Sequence, residues 1–145
     1  MLKEISKKFE RLLNKPIQLS LQILNSHGVS AEDYKASYAG SLYRQKKPDK
    51  LVSKPAGEWQ TYDIVFRAAR FEGDKKTENA RISVRHNGVL IHDDYAFKNK
   101  TGAGKKEGPE ALPFKLQGHH NPVKFRNVWI QRLKLEAAAE KAEAP

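Results

Sequence analysis

The sequence predicts an all-β sandwich, and three observations carry that expectation. Ile17, Leu19, Leu21 and Ile23 alternate with Gln18, Ser20, Gln22 and Leu24, the period of a strand with one buried face. Asn87-Gly88 stands between ARISVRH and VLIHDDY, and Asn-Gly between two β-rich runs marks a two-residue hairpin, because both turn positions need positive φ. Between these runs there is little helical periodicity, so strands joined by turns and loops describe most of the chain.

Taken in order, Leu2, Ile5, Phe9, Leu12 and Leu13 follow three- and four-residue spacing, which predicts an amphipathic helix over 2–14 ended by Pro16. A strand over 17–24 follows and stops at the turn Asn25-Ser26-His27-Gly28. Residues 29–57 carry Gly, Pro, Ser and Lys without a sustained period and read as a long loop, with a short strand near Ser41–Tyr43. Trp59–Arg67 is the next strand, with Tyr62, Ile64 and Phe66 on one face. The hairpin over 80–95 comes next, then a Gly- and Pro-rich loop over 99–113. Phe114–Gln117 and Val123–Arg132 are expected as a closing pair of strands. Residues 135–145, LEAAAEKAEAP, are helix-prone or frayed and read as a solvated tail. The domain is thus expected over 17–133, flanked by the helix at 1–16 and the tail at 134–145.

With 145 residues the chain has room for one domain. It holds no cysteine, which excludes disulfides and thiolate chemistry. No apolar run approaches the roughly 20 residues of a membrane span, and residues 1–16 lack the apolar region of a secretory signal. The formal charge of +10 favours polyanions in general. Its lysines, however, are dispersed in short clusters such as Lys46-Lys47, Lys75-Lys76 and Lys105-Lys106, and no nucleic-acid-binding motif accompanies them. No specific nucleic-acid partner is expected. Lys3, Lys7, Lys8, Arg11 and Lys15 on the first helix also fit a membrane surface, though packing against a sheet is the simpler role.

Candidate chemistry gathers at strand ends: His27, His86, Asn87, His92, Gln117, His119, His120 and Asn121. No Gly-rich phosphate loop, HExxH, CxxC or GxSxG occurs. His86, next to the Asn-Gly turn, reads as a surface residue. His92-Asp93-Asp94 lacks a further ligand at suitable spacing, so no metal is expected there. Trp59 and Trp129 read as core residues, with sugar stacking the sharper alternative. His119 and His120 sit between Gly118 and Asn121-Pro122, ordinary turn composition. In a regular strand they would face opposite sides, so they would not line one site together.

The stretches WQTYDIVFRAARFEGDKKTENARISVRHNGVLIHDD (59–94), KEGPEALPFKLQ (106–117) and HNPVKFRNVWI (120–130) carry a further signal in their order and spacing. They resemble the C-terminal half of the 3-keto-disaccharide hydrolase domain family over about residues 57–131. LSLQILNSHG (19–28) is a weaker match to that family's YEIQVLDSYG-type strand. The resemblance implies a concanavalin A-like jelly roll, N-terminally reduced, and carbohydrate substrates oxidised at C3 of the sugar. A keto group there acidifies the C2 proton, so cleavage runs by proton abstraction and loss of the aglycone, followed by hydration. Histidine suits such proton transfers because its pKa lies near neutrality. By motif position the resemblance assigns proton transfer to His119 with Gln117 beside it. Gln22, Asn25, Asn121 and Arg126 become substrate-binding residues.

The chain departs from the family at telling positions. Ser20 stands where the family carries Glu, Asn25 where it carries Asp, and Gly118 where it carries Asp, while His120 replaces a glycine. These lost carboxylates remove possible bases and hard-cation ligands, so neither a metal nor another cofactor is expected. The family's domain also begins with several strands before the YEIQ-type one, whereas here only the 2–14 helix precedes it. An open sheet edge is therefore expected, to be covered by that helix, a second copy or a partner chain. An alternative follows from the same departures: a truncated jelly roll that binds carbohydrate or a partner without catalysis. As written the chain reads as cytoplasmic, while the resemblance also allows a periplasmic or secreted setting.

Overall fold

The computed structural model describes residues 19–98, 100–101, 107–111, 113–118 and 122–133. The chain divides into two compact units, Met1–Pro113 and Phe114–Pro145. The described residues contain no helix, and every regular element is a strand. The helix expected over 2–14 and the tail over 134–145 lie outside the described residues.

In the first unit the strands are β1 (Tyr62–Arg67), β2 (Arg70–Glu72), β3 (Lys75–Glu78), β4 (Arg81–His86) and β5 (Val89–Ala96). β1, β4 and β5 form one antiparallel sheet in that spatial order, and β2 pairs with β3 in a second. The predicted hairpin is present: Asn87 has φ 50° and Gly88 φ 80°, the left-handed pair that the turn requires. β2 and β3 meet through Gly73 and Asp74, with Glu72 opposite Lys75. Gly73 takes φ 59°, so this Gly-Asp pair is a second hairpin signal that a search for apolar alternation passes over.

Ile82, Val84 and His86 share one face of β4 and all three are buried. His86 is therefore not the surface residue its place beside the turn suggested. The phase of the strand, set by Ile82 and Val84, puts its ring inside. β5 departs from regular pairing twice. Arg85 pairs with Leu90 but Val84 pairs with His92, leaving Ile91 as an extra residue, and a second irregularity falls between the Ile82 and Val84 pairs. The first bulge lets consecutive residues, Ile91 and His92, both become buried. Near the second, Asp94 has φ 39°, and its backbone N–H donates to Ser83 Oγ at 2.9 Å.

The core consists of Leu42, Ala80, Ile82, Val84, Ile91 and Phe97, with Leu19, Leu21, Val52, Tyr62, Ala69 and Tyr95 packed against it. Sequence alternation predicted a strand over 17–24. Its described part instead forms a single bridge, Leu21 to Leu42. The backbone is extended all the same: Gln22 N donates to Ser41 O at 2.9 Å, Gly40 N to Gln22 O at 2.8 Å and Tyr43 N to Ser20 O at 2.9 Å. The partner is short because residues 42–46 turn back on themselves, Leu42 N donating to Lys46 O. The short strand expected near Ser41–Tyr43 is this bridge region. The long loop is thus a paired, partly buried element.

Gly40 shows how closely that element is fitted. Its φ is +72°, and a Cβ there would lie 2.8 Å from Ile91 Cδ1. Gly40→Ala is expected to cost about 1–2 kcal/mol in urea unfolding, most of it from the left-handed backbone, since Ile91 can turn its terminal methyl aside. A loss below about 0.3 kcal/mol would contradict this packing.

In the second unit the closing strands predicted over 114–117 and 123–132 are not formed among the described residues. Alternating apolar residues define a face, but a strand also needs a partner for its backbone groups. Trp129, expected in the core, is 86% exposed, and Trp59 is exposed too. In the first unit β1 lies at the edge of its sheet, with Ile64, Val65 and Phe66 exposed. No helix among the described residues is long and apolar enough to cross a membrane.

Candidate functional site

Two of the sequence-derived site residues, Gln22 and Asn25, lie in the first unit on the extended segment. The 39–41 backbone fixes both. Gln22 is bonded on either side by Gly40 and Ser41. Next to Asn25, the buried Ser26 Oγ accepts from Ala39 N at 3.1 Å. Asn25 itself is exposed and Gln22 half-buried. Ser20, at the other end of this rim, donates its backbone N–H to the buried Thr101 Oγ1 at 3.0 Å. Tyr34 closes the far side: its hydroxyl donates to Ala39 O at 2.8 Å, and its ring meets Tyr38 edge-on.

Gln117 and Arg126 lie in the second unit and are exposed. His119, Asn121 and also His120 lie outside the described residues. The KEGPE motif contributes Glu107, whose carboxylate pairs with Lys76 of β3. That glutamate is thereby tied to the second hairpin by an ion pair with one well-shielded partner.

Two imidazoles underlie the rim. His92 is fully buried, and its Nε2 lies 2.6 Å from the Gly40 carbonyl. Since a carbonyl only accepts, the ring proton sits on Nε2. Nδ1 is then a bare lone pair, buried without a hydrogen-bond partner among the described residues. Burial pushes the His92 imidazole below its ordinary pKa. The Gly40 carbonyl opposes that shift, Lys46 adds to it and Asp49 opposes it. His86 stacks on Tyr62 at 4.2 Å with 12° between the rings, and its Nε2 lies 3.2 Å from Gln60 Oε1. Burial lowers its pKa as well, and the same burial raises that of Tyr62.

Gln60 and Asn87 complete this support. Asn87 Nδ2 donates to Val52 O and Gln60 Oε1, both at 2.8 Å, and its Oδ1 accepts from Thr61 N at 2.9 Å. The residue that makes the turn therefore also ties the end of β4 to the segment before β1. The burial of His86 and His92 escaped sequence reasoning, although the β4 phase already placed His86 with Ile82 and Val84. Nothing in the sequence announces the β5 bulge that turns His92 inward.

The Asp94 carboxylate is engaged by an arginine. Arg81 Nε donates to Asp94 Oδ1 and Nη2 to Oδ2, each at 2.6 Å, holding that carboxyl below its usual range. Among the described residues no three His, Cys, Asp or Glu side chains gather as metal ligands would.

The fold has a solved counterpart. A proposed glycosyl hydrolase from Parabacteroides distasonis ATCC 8503 is similar to this chain at 24% identity with a TM-score of 0.54. The likeness covers 65% of this chain and 40% of that one, so the present chain spans less than half of that protein's length. No curated protein matches the sequence. A family model does, described as the 3-keto-alpha-glucoside-1,2-lyase-like domain, over residues 11–131. With most of its length matched in this way, the chain belongs to the 3-keto-alpha-glucoside-1,2-lyase-like domain family.

Proposed function

We propose that this domain cleaves glycosides already oxidised at C3, with His119 moving the proton and Gln117 holding the sugar. The observation that carries the reading is the retained Leu116-Gln117…His119…Asn121-Pro122-Val123 motif within a family match spanning residues 11–131. The jelly-roll architecture belongs to the same proposal, supported by the described residues of the first unit, whose regular elements are all strands, and by the likeness to a solved glycosyl hydrolase-type structure at a TM-score of 0.54.

In this reaction the C3 ketone withdraws electrons from C2, and the neutral His119 imidazole takes the C2 proton. The C2–H electron pair forms the C1=C2 double bond as the C1–O bond breaks, the aglycone oxygen takes a proton from water, and the His119 imidazolium returns its proton to the hydroxide so formed. Water then adds across the double bond, so the net change is hydrolysis. Hydrogen-bond donation polarises the ketone, with the Arg126 guanidinium the candidate, while the Gln117 amide holds a sugar hydroxyl. Gln22, Asn25 and Asn121 hydrogen-bond sugar hydroxyls. Each role follows from motif position, and no step passes through a cation.

The test compares a 3-keto-disaccharide with its unoxidised parent, followed by release of the free sugars. Turnover of the keto substrate alone is the expected result. Equal turnover of both would mean cleavage without the C2 proton step. No turnover of either would overturn the proposal.

A further inference from the structure

We propose that His92 is a positioning residue, a latch that holds the Gln22 rim only while its imidazole is neutral. This deepens the carbohydrate reading by naming what fixes one of its binding segments. Gly40 is the joint. Its carbonyl accepts from His92 Nε2 at 2.6 Å, and its N–H donates to Gln22 O at 2.8 Å. One peptide residue therefore links the β5 imidazole to the rim backbone. Glycine suits this joint, because φ is +72° and an added Cβ would lie 2.8 Å from Ile91 Cδ1.

The latch is specific to the neutral ring. A second proton would land on Nδ1, where no acceptor waits among the described residues, and would bury a full charge as well. The groups facing the ring do not rescue it. From the 40–49 segment come Lys46 and Asp49, which form an ion pair with each other and act on His92 in opposite senses. From β4 comes His86, whose Nδ1 lies 3.7 Å from where a Cβ of residue 40 would stand, itself held below its ordinary pKa by burial. Opening the 40–43 pairing exposes Nδ1 to water and removes both penalties.

The sign follows directly. The open form takes up a proton near the ordinary imidazole value of about 6.5, while the closed form resists until a lower pH. Between these two values each unit of falling pH raises the opening constant, by up to about tenfold for one proton. Above about pH 6.5 the latch is insensitive to pH.

Amide hydrogen exchange tests this in the full chain without substrate, so its outcome does not depend on turnover. Protection factors, corrected for intrinsic exchange, are measured at Gln22, Gly40, Leu42 and Tyr43 between pH 7.5 and 5. A fall of up to about tenfold per unit below about pH 6.5 is expected, with β4 amides losing less. In His92→Gln, an amide that can donate to Gly40 but does not titrate, the pH dependence at these four residues should shrink to that of the β4 amides, which carries the contribution of His86. Protection that stays flat in the wild type would overturn the latch, as would an undiminished slope at these residues in His92→Gln. Should that variant fail to fold, the ring nitrogen NMR titration of wild-type His92 decides instead: protonation at or above pH 6.5 sinks the proposal.

Discussion

His119→Ala should lower kcat on a 3-keto-disaccharide by about 10²–10⁴-fold, the range that a positioned proton-transfer group contributes. KM should change little, because the proton moves only in the transition state and ground-state binding rests on other residues. The neighbouring His120→Ala should stay within a few-fold of wild type, since His120 occupies a glycine's place in the motif. Gln117→Ala should behave in the opposite way to His119→Ala. Loss of a sugar hydrogen bond worth about 1–1.5 kcal/mol raises KM roughly tenfold and spares kcat. Steady-state kinetics with matched thermal unfolding curves separates these cases. A His119→Ala enzyme within tenfold of wild-type kcat would remove histidine from the chemistry.

The second large effect concerns stability. Phe97→Ala should cost about 3–5 kcal/mol, the usual loss on truncating a buried aromatic ring. Phe97 is 1% exposed and belongs to the core beneath β4 and β5. Its ring meets Tyr95 edge-on, with centroids 5.7 Å apart at 84°, and its backbone N–H donates to Ala80 O at 2.9 Å. The substitution leaves that backbone bond intact, so the loss reports packing alone. Small domains hold only about 5–15 kcal/mol in total, so the variant should be close to unfolding at physiological temperature. Urea denaturation with an unchanged m-value measures it. A loss under about 1 kcal/mol would mean that this side of the sheet is not a packed core.

The same core shows why the pH response of the latch belongs to local opening as well as to global unfolding. His86 and His92 are both buried with lowered pKa, so the unfolded chain binds more protons than the native one below about pH 6.5. Stability falls in that window as pH drops and is unaffected by these two groups above it. The exposed Arg81–Asp94 pair acts at far lower pH, because it depresses a carboxyl.

Several features were legible in the sequence for reasons that are purely local. Asn87-Gly88 requires left-handed backbone, and few structures other than a two-residue hairpin use two such residues in a row. The family's motif order from Trp59 to Ile130 is likewise a property of the string. Ser20, Asn25 and Gly118 announced the missing carboxylates in the same way. These are statements about residue type and spacing, which need no partner.

What needed the tertiary structure was every feature that depends on a second segment. The alternation from Ile17 to Ile23 defines a face, but only the turn at 42–46 limits the described pairing to a single bridge. The alternation over 123–130 looks equally strand-like, yet its described residues form no ladder. His86 and His92 look like polar residues flanking a turn and preceding two aspartates. The phase of β4 and the extra residue Ile91 in β5 put both inside, where desolvation lowers their pKa. Sequence thus determined which family the chain belongs to and where it turns. The long-range pairing of 20–22 with 40–43, and of Gly40 with His92, was decided by packing, because a hydrogen bond between distant residues has no local signature.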